Sequence, residues 1–185
     1  MRKELRALLV TALLCAPVFG LPNYAAAGPR GDKNQRSEPK SMANEVRHRL
    51  VMLPWYSVFD NLAYKVEGDK VTLYGQVTRP TLKSDAEAVV KGIEGVSTVV
   101  NNIEVLPPSP MDDQLRRALY RAIYGDPGLS RYSVQAVPSI HIIVKNGNVT
   151  LEGAVDSEAD KNLAGIRANQ VPNVFSVKNN LIVSS

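Results

Sequence analysis

From Lys70 to Val77 the chain alternates, with Val71, Leu73, Gly75 and Val77 on one parity and Thr72, Tyr74 and Gln76 on the other. A period of two marks a strand with one buried face. Asn61–Glu67 precedes it across Gly68 and Asp69, so the two segments form a predicted hairpin. Upstream, Met42, Val46, Leu50 and Leu53 recur at helical spacing behind Ser41, a favourable N-cap, and Pro54 ends that helix. Downstream, Leu82, Ala86, Val89, Val90 and Ile93 stripe a second helix over residues 80–92, and residues 98–106 read as a closing strand. The predicted order is α-β-β-α-β.

The same pattern then returns. Shifted by 78 residues, Val66 to Val105 falls on Val144 to Val183 without a gap, and 13 of 40 positions are identical. Chains of ordinary composition would share only about two or three by chance. In the second copy Ser109 is the N-cap, Pro110 takes the first helical position, and Leu115, Ala118, Leu119, Ala122 and Ile123 form the inward stripe. Asn146-Gly147, a strong two-residue hairpin signal, makes the turn. Asp156, Ser157 and Glu158 cap the last helix, with Ala164, Ala168 and Val171 inward. The copies differ by nine additional residues within 125–138, read either as a specialised surface or as loop drift. The fold class is therefore α+β: two tandem αββαβ domains, each a three-stranded mixed sheet packed on two helices.

The first 27 residues read as a secretory leader. Arg2, Lys3 and Arg6 precede an apolar stretch from Leu8 to Phe19, and Ala25-Ala26-Ala27 offers a cleavage site. Cleavage after Ala27 predicts a periplasmic or secreted protein. It removes Cys15, the only cysteine, so the mature chain has no disulfide and no thiolate chemistry. It also removes Glu4, so 22 basic and 18 acidic residues become 19 and 17, and the net charge drops from +4 to +2. That mild balance does not call for a nucleic-acid partner. Residues 28–40 are polar and rich in Pro and Gly, and read as a disordered tether. The first domain then spans 41–106, a stiff Pro-rich linker 107–110, and the second domain 111–185.

Catalytic signatures are missing. No nucleophile elbow, Walker loop, zinc-protease helix or dinucleotide fingerprint is present. His48 and His141 stand alone, without a second ligand at metal spacing, and read as exposed or structural. Asp112-Asp113 and Asp156/Glu158 lie at helix starts, where negative charge suits the helix dipole. No cofactor and no enzymatic activity are expected.

The hairpin Val-x-Gly-x-Lys/Asn-Val-Thr-Leu-x-Gly-x-Val, the central Ala86 and Ala164, and the closing Val-x-x-Val-x-Asn-Asn-Ile/Leu resemble the BON domain in both copies. The resemblance implies an αββαβ sandwich in an exported envelope protein linked to osmotic stress and membrane integrity. It implies binding to phospholipid surfaces and no catalysis. Gly75 and Gly153 are its most distinctive residues, read as structural glycines that admit a close approach of a helix or kink the strand; a ligand backing onto bare backbone is the sharper alternative.

One surface carries a candidate interaction. With the stripe of residues 115–123 turned inward, Arg116, Arg117, Tyr120, Arg121 and Tyr124 are expected to face outward, extended by Arg131 and Tyr132. Mixed cations and tyrosines suit an anionic phospholipid interface, and an ordinary solvated helix face is the plain alternative. Trp55, Tyr56 and Phe59 hold the comparable place in the first copy and read as core, since nothing basic follows them closely. The expected partner is an anionic phospholipid membrane surface. A protein–protein adaptor or ring-building module, joining envelope proteins or copies of itself through exposed sheet edges, is the rival.

Overall fold

A computed structural model describes residues 41–135 and 137–184; the leader (1–27) and the polar stretch (28–40) lie outside the described residues. Each copy has the expected order. In the first, α1 (Met42–Val51) leads to the hairpin β1 (Asn61–Glu67) and β2 (Lys70–Val77), then α2 (Pro80–Lys91) and β3 (Thr98–Val105). In the second, α3 (Pro110–Tyr124) leads to β4 (Ile140–Lys145) and β5 (Asn148–Val155), then α4 (Glu158–Asn169) and a last strand in two pieces, β6 (Ser176–Asn179) and β7 (Ile182–Val183). The middle strand of each sheet pairs antiparallel with its hairpin partner and parallel with the last strand. The fold is α+β and the sheets are mixed, as the alternation required.

Both helices of a copy pack on one sheet face. Val46 and Leu50 of α1 meet Leu82, Ala86 and Val90 of α2 over Val71, Leu73, Val77 and Ile103. Their counterparts are Leu115, Leu119 and Ile123 with Ala164 and Ala168 over Val149, Leu151 and Val155. The repeated asparagine has a mechanical role. Asn101 Nδ2 donates to the Lys83 carbonyl at 2.8 Å and Asn179 Nδ2 to the Lys161 carbonyl at 2.7 Å, so each last strand is tied to its second helix.

Gly75 and Gly153 are structural, but the close approach is made by the neighbouring strand and not by a helix. Both have positive φ, 118° and 111°, which side-chain-bearing residues rarely adopt. A Cβ at Gly75 would collide with the Asn61 carbonyl, and one at Gly153 with the Ser139 carbonyl. Backbone fills the space where a ligand was the alternative.

Part of the added stretch is built into the second core, while Val134 stays exposed. A single-turn 3-10 helix, Ser130–Ser133, presents Tyr132, and Leu129 precedes it; both side chains are buried in the second core.

The copies are joined by more than the linker. Val58, in the loop between α1 and β1, belongs to the core of the second copy, and the Ile142 main-chain N–H donates to its carbonyl at 2.8 Å. Phe59 packs edge-on against Tyr120, and Tyr56 stacks on His141 with ring centroids 5.6 Å apart. Lys145 pairs with Glu104 across the same junction. Asp60 fixes this loop. Fully buried, it accepts from the N–H and hydroxyl of Thr78 (2.7 and 2.8 Å) and from those of Ser57 (3.0 and 2.6 Å). Four donors satisfy the carboxylate without a cation.

Candidate surface site

Helix α3 starts on Ser109, whose hydroxyl accepts from the Asp112 N–H at 3.2 Å, and Pro110 occupies the first turn. Asp112 does more than favour the dipole. Almost fully buried, its carboxylate accepts from the N–H groups of Asn146 (2.8 Å) and Gly147 (2.9 Å), holding the β4–β5 turn onto the helix.

Of the seven residues expected to face outward, the structure exposes four. Arg117, Tyr120, Arg121 and Arg131 are exposed, while Arg116, Tyr124 and Tyr132 are buried. Arg116 is a correction with a clear cause. At 5 % exposure it runs under the hairpin, where Nη2 donates to the Val144 carbonyl at 2.8 Å and Nη1 pairs with Asp113. Tyr124 lies inside because its hydroxyl donates to the Ile140 carbonyl, and burial pushes that phenol's pKa well above the ordinary value. Tyr132 is the plug of the added turn. Its hydroxyl donates to Asp160 at 2.9 Å and accepts from the Asp156 N–H at 2.8 Å.

Arg131 is exposed yet committed. It pairs with Asp160, reaches Asp156 at 3.4 Å, and its guanidinium lies over the Tyr132 ring. The Ser157 hydroxyl, then Tyr132 and Arg131, hold the Asp160 carboxyl below its usual range. This network braces the added turn, so Arg131 and Tyr132 do not extend an outer cationic face. Arg117 and Arg121, by contrast, form no ion pair among the described residues.

The first copy supplies residues that the sequence reading placed in its core. Trp55 is 68 % exposed, and Arg79, the residue just before α2, stands over its ring at 4.8 Å. Its φ of 69° is unusual for a bulky residue, a conformation that costs about 1–3 kcal/mol. Only the fold brings Arg79 to Trp55; along the chain no basic residue closely follows the tryptophan. Both line a cleft of about 520 Å³ between the copies, with Ser57, Thr78, Asp113, Arg116 and Arg117.

No set of three or more His, Cys, Asp or Glu side chains able to hold a metal occurs among the described residues, nor is any described helix long and apolar enough to cross a membrane. His48 is exposed. His141 is half-buried against Tyr56, and burial lowers its pKa despite the nearby Asp60 and Ser57 carbonyls and the Asp60 and Glu152 carboxylates. Burial also pushes Tyr56 up to about 12.

Two copies of one αββαβ unit, each with its glycine under the neighbouring strand and its asparagine tie, define a BON-type tandem. The BON domain profile matches residues 44–107 and 112–185, and the chain belongs to the BON domain family. It is similar to the osmotically-inducible protein Y of Escherichia coli (strain K12), 30 % identical over an alignment of 129 residues, with 65 % of this chain and 61 % of that protein covered. The chain thus spans less than two thirds of that relative's length. Among solved structures, the C-terminal domain of CdsD, the structural protein of the type III secretion system of Chlamydia trachomatis, aligns over 80 % of this chain and all of its own, at 12 % identity and a TM-score of 0.32. A second CdsD structure aligns over 77 % of this chain and 92 % of its own, at 13 % identity and a TM-score of 0.30.

Proposed function

We propose that this protein is a non-catalytic, exported two-BON-domain protein that associates with anionic phospholipid surfaces of the cell envelope and supports tolerance of osmotic stress. The osmotic part rests on its similarity to the osmotically-inducible protein Y. The periplasmic location rests on the basic-apolar-small pattern of residues 1–27.

The observation that carries the membrane reading is the surface at the junction of the copies. Trp55, Arg79 and Arg117 line the cleft there, Tyr120 packs on Phe59 beside it and Arg121 lies one turn further along α3; all five are exposed, and none of the three arginines has an ion-pair partner among the described residues. Guanidinium groups suit phosphates, and an exposed tryptophan suits the headgroup region. Three cations near an anionic surface contribute about 3 kcal/mol, a weak and salt-sensitive attraction. The buried Val58 contact makes the copies one scaffold, so the contacts of both act together.

The adaptor reading has less support. It needs free sheet edges, and one of them, that of β4, is engaged at Ile142 by Val58. Co-sedimentation with vesicles of phosphatidylglycerol or of phosphatidylcholine, at low and high salt, separates the two. Binding to the anionic vesicles alone, lost at high salt and in the Arg117→Glu/Arg121→Glu double variant, is expected. Undiminished pelleting of that variant would end the membrane-face assignment.

A further inference from the structure

We infer that the cleft between the two copies is a binding site for a phosphate ester, held by Arg79 of the first copy and by Arg116 and Arg117 of the second. The inference deepens the membrane reading by naming the chemical group recognised, and it can fail separately.

Three observations converge on it. Arg79, Arg116 and Arg117 line one cleft of about 520 Å³, ample for a phosphate ester with a glycerol-sized substituent. Arg116 is nine-tenths buried, and its Nε–H has no acceptor although its two terminal nitrogens do. A buried guanidinium donor without an acceptor is costly, and since this nitrogen is closed off from solvent, Arg116 acts on an anion in the cleft through its charge. Arg79 is steadied on the exposed Trp55 ring, which lowers the entropy lost when that guanidinium closes on a ligand.

Charge favours an anion here. Arg79 and Arg117 are exposed at the cleft, Arg116 lines it with its terminal nitrogens on Asp113 and the Val144 carbonyl, and the Asp113 carboxylate spends its ion pair on Arg116. The Asp60 carboxylate lies behind Ser57 and Thr78 with all four of its hydrogen bonds made inside the protein. Planar guanidinium forks suit phosphate oxygens better than a halide, and the hydroxyl of Ser57 at the same cleft wall is already engaged with Asp60. Either copy alone supplies only part of this set. A site that needs both explains why the copies are locked together at Val58 and not merely tethered.

The test is a titration of the protein with sn-glycerol 3-phosphate, followed by the Trp55 indole and arginine Nε–H resonances in nitrogen-15 NMR. Saturable shifts at Trp55 and Arg116 are expected. Arg79→Gln should weaken binding by about tenfold or more, while Lys178→Gln, exposed on β6 and outside the cleft, leaves it unchanged. Phosphatidylglycerol vesicles distinguish the sources: competition between vesicles and the soluble ester makes a lipid headgroup the natural occupant, and vesicle binding without competition makes it a soluble phosphate ester. No shift at Trp55 or Arg116, or equal binding by Arg79→Gln, would overturn the cleft. If the ester binds but anionic vesicles do not pellet the protein, the membrane reading falls and the cleft stands. If vesicles pellet it and the ester does not bind, the reverse holds.

Discussion

The Val58 carbonyl, in the first copy, accepts the Ile142 main-chain N–H of the second at 2.8 Å, and the Val58 side chain is 7 % exposed within the second core. One residue thus serves as an added edge contact and as a core component of the other domain. Burying a valine side chain stabilises by roughly 1.5–3 kcal/mol. The two copies therefore share stability, a benefit to units of about 70 residues that are marginal alone.

Val58→Ala should lower the stability of the second copy by about 2 kcal/mol, through lost burial and the remaining cavity. Denaturant unfolding followed by amide exchange in β4 and β5 checks it. A loss confined to the first copy would contradict the shared core.

Asp112→Ala should cost about 3 kcal/mol, since it strands the Asn146 and Gly147 N–H groups that its carboxylate now accepts. Asp112→Asn should recover part of this, because its amide oxygen can serve one of the two donors. Urea midpoints of the parent, these two variants and Asp113→Ala provide the comparison. If removing Asp112 were no worse than removing the exposed Asp113, a capping role alone would suffice.

Gly75→Ala and Gly153→Ala should each destabilise by about 3 kcal/mol, through positive φ and the collision with a paired strand's carbonyl. Thermal melts with unchanged midpoints would show that the strands can part to admit a methyl group.

His141 makes stability depend on pH. Burial lowers its folded pKa, so the unfolded chain binds more protons as pH falls. Its contribution is complete above the ordinary histidine value of about 6.5 and declines as pH drops from there toward the lowered folded value. Asp160, also lowered, loses its contribution at more acidic pH, below the ordinary aspartate value of about 3.9. His141→Phe should flatten the urea midpoint between about pH 7.5 and pH 5.5. An unaltered slope would rule out His141 as its source.

Arg131→Ala should lower the melting temperature and leave vesicle binding intact, because this arginine is committed to Asp160, Asp156 and the Tyr132 ring. Reduced vesicle binding at undiminished stability would return Arg131 to the membrane face.

Most of the architecture was legible in the residues. Alternation at 70–77 and 148–155, helical stripes behind Ser41 and Ser109, and the Asn146-Gly147 turn all report local backbone preferences, and the structure has the corresponding elements. Which side of α3 was inward was legible only in part. Leu115, Leu119 and Ile123 marked the stripe, but its width depended on neighbours. The hairpin roofs Arg116, the Ile140 carbonyl draws Tyr124 in, and the added turn inserts Tyr132.

By itself, the sequence determined the duplicated αββαβ plan and the glycines and asparagines that each unit requires, because hydrophobic periodicity and backbone geometry act over a few residues. Tertiary structure alone decided which cations stay free, that Val58 serves the other domain's core, and that Arg79 meets Trp55 beside Arg116 and Arg117. Burial and ion pairing are set by residues distant along the chain, and local pattern carries no record of which distant partner arrives.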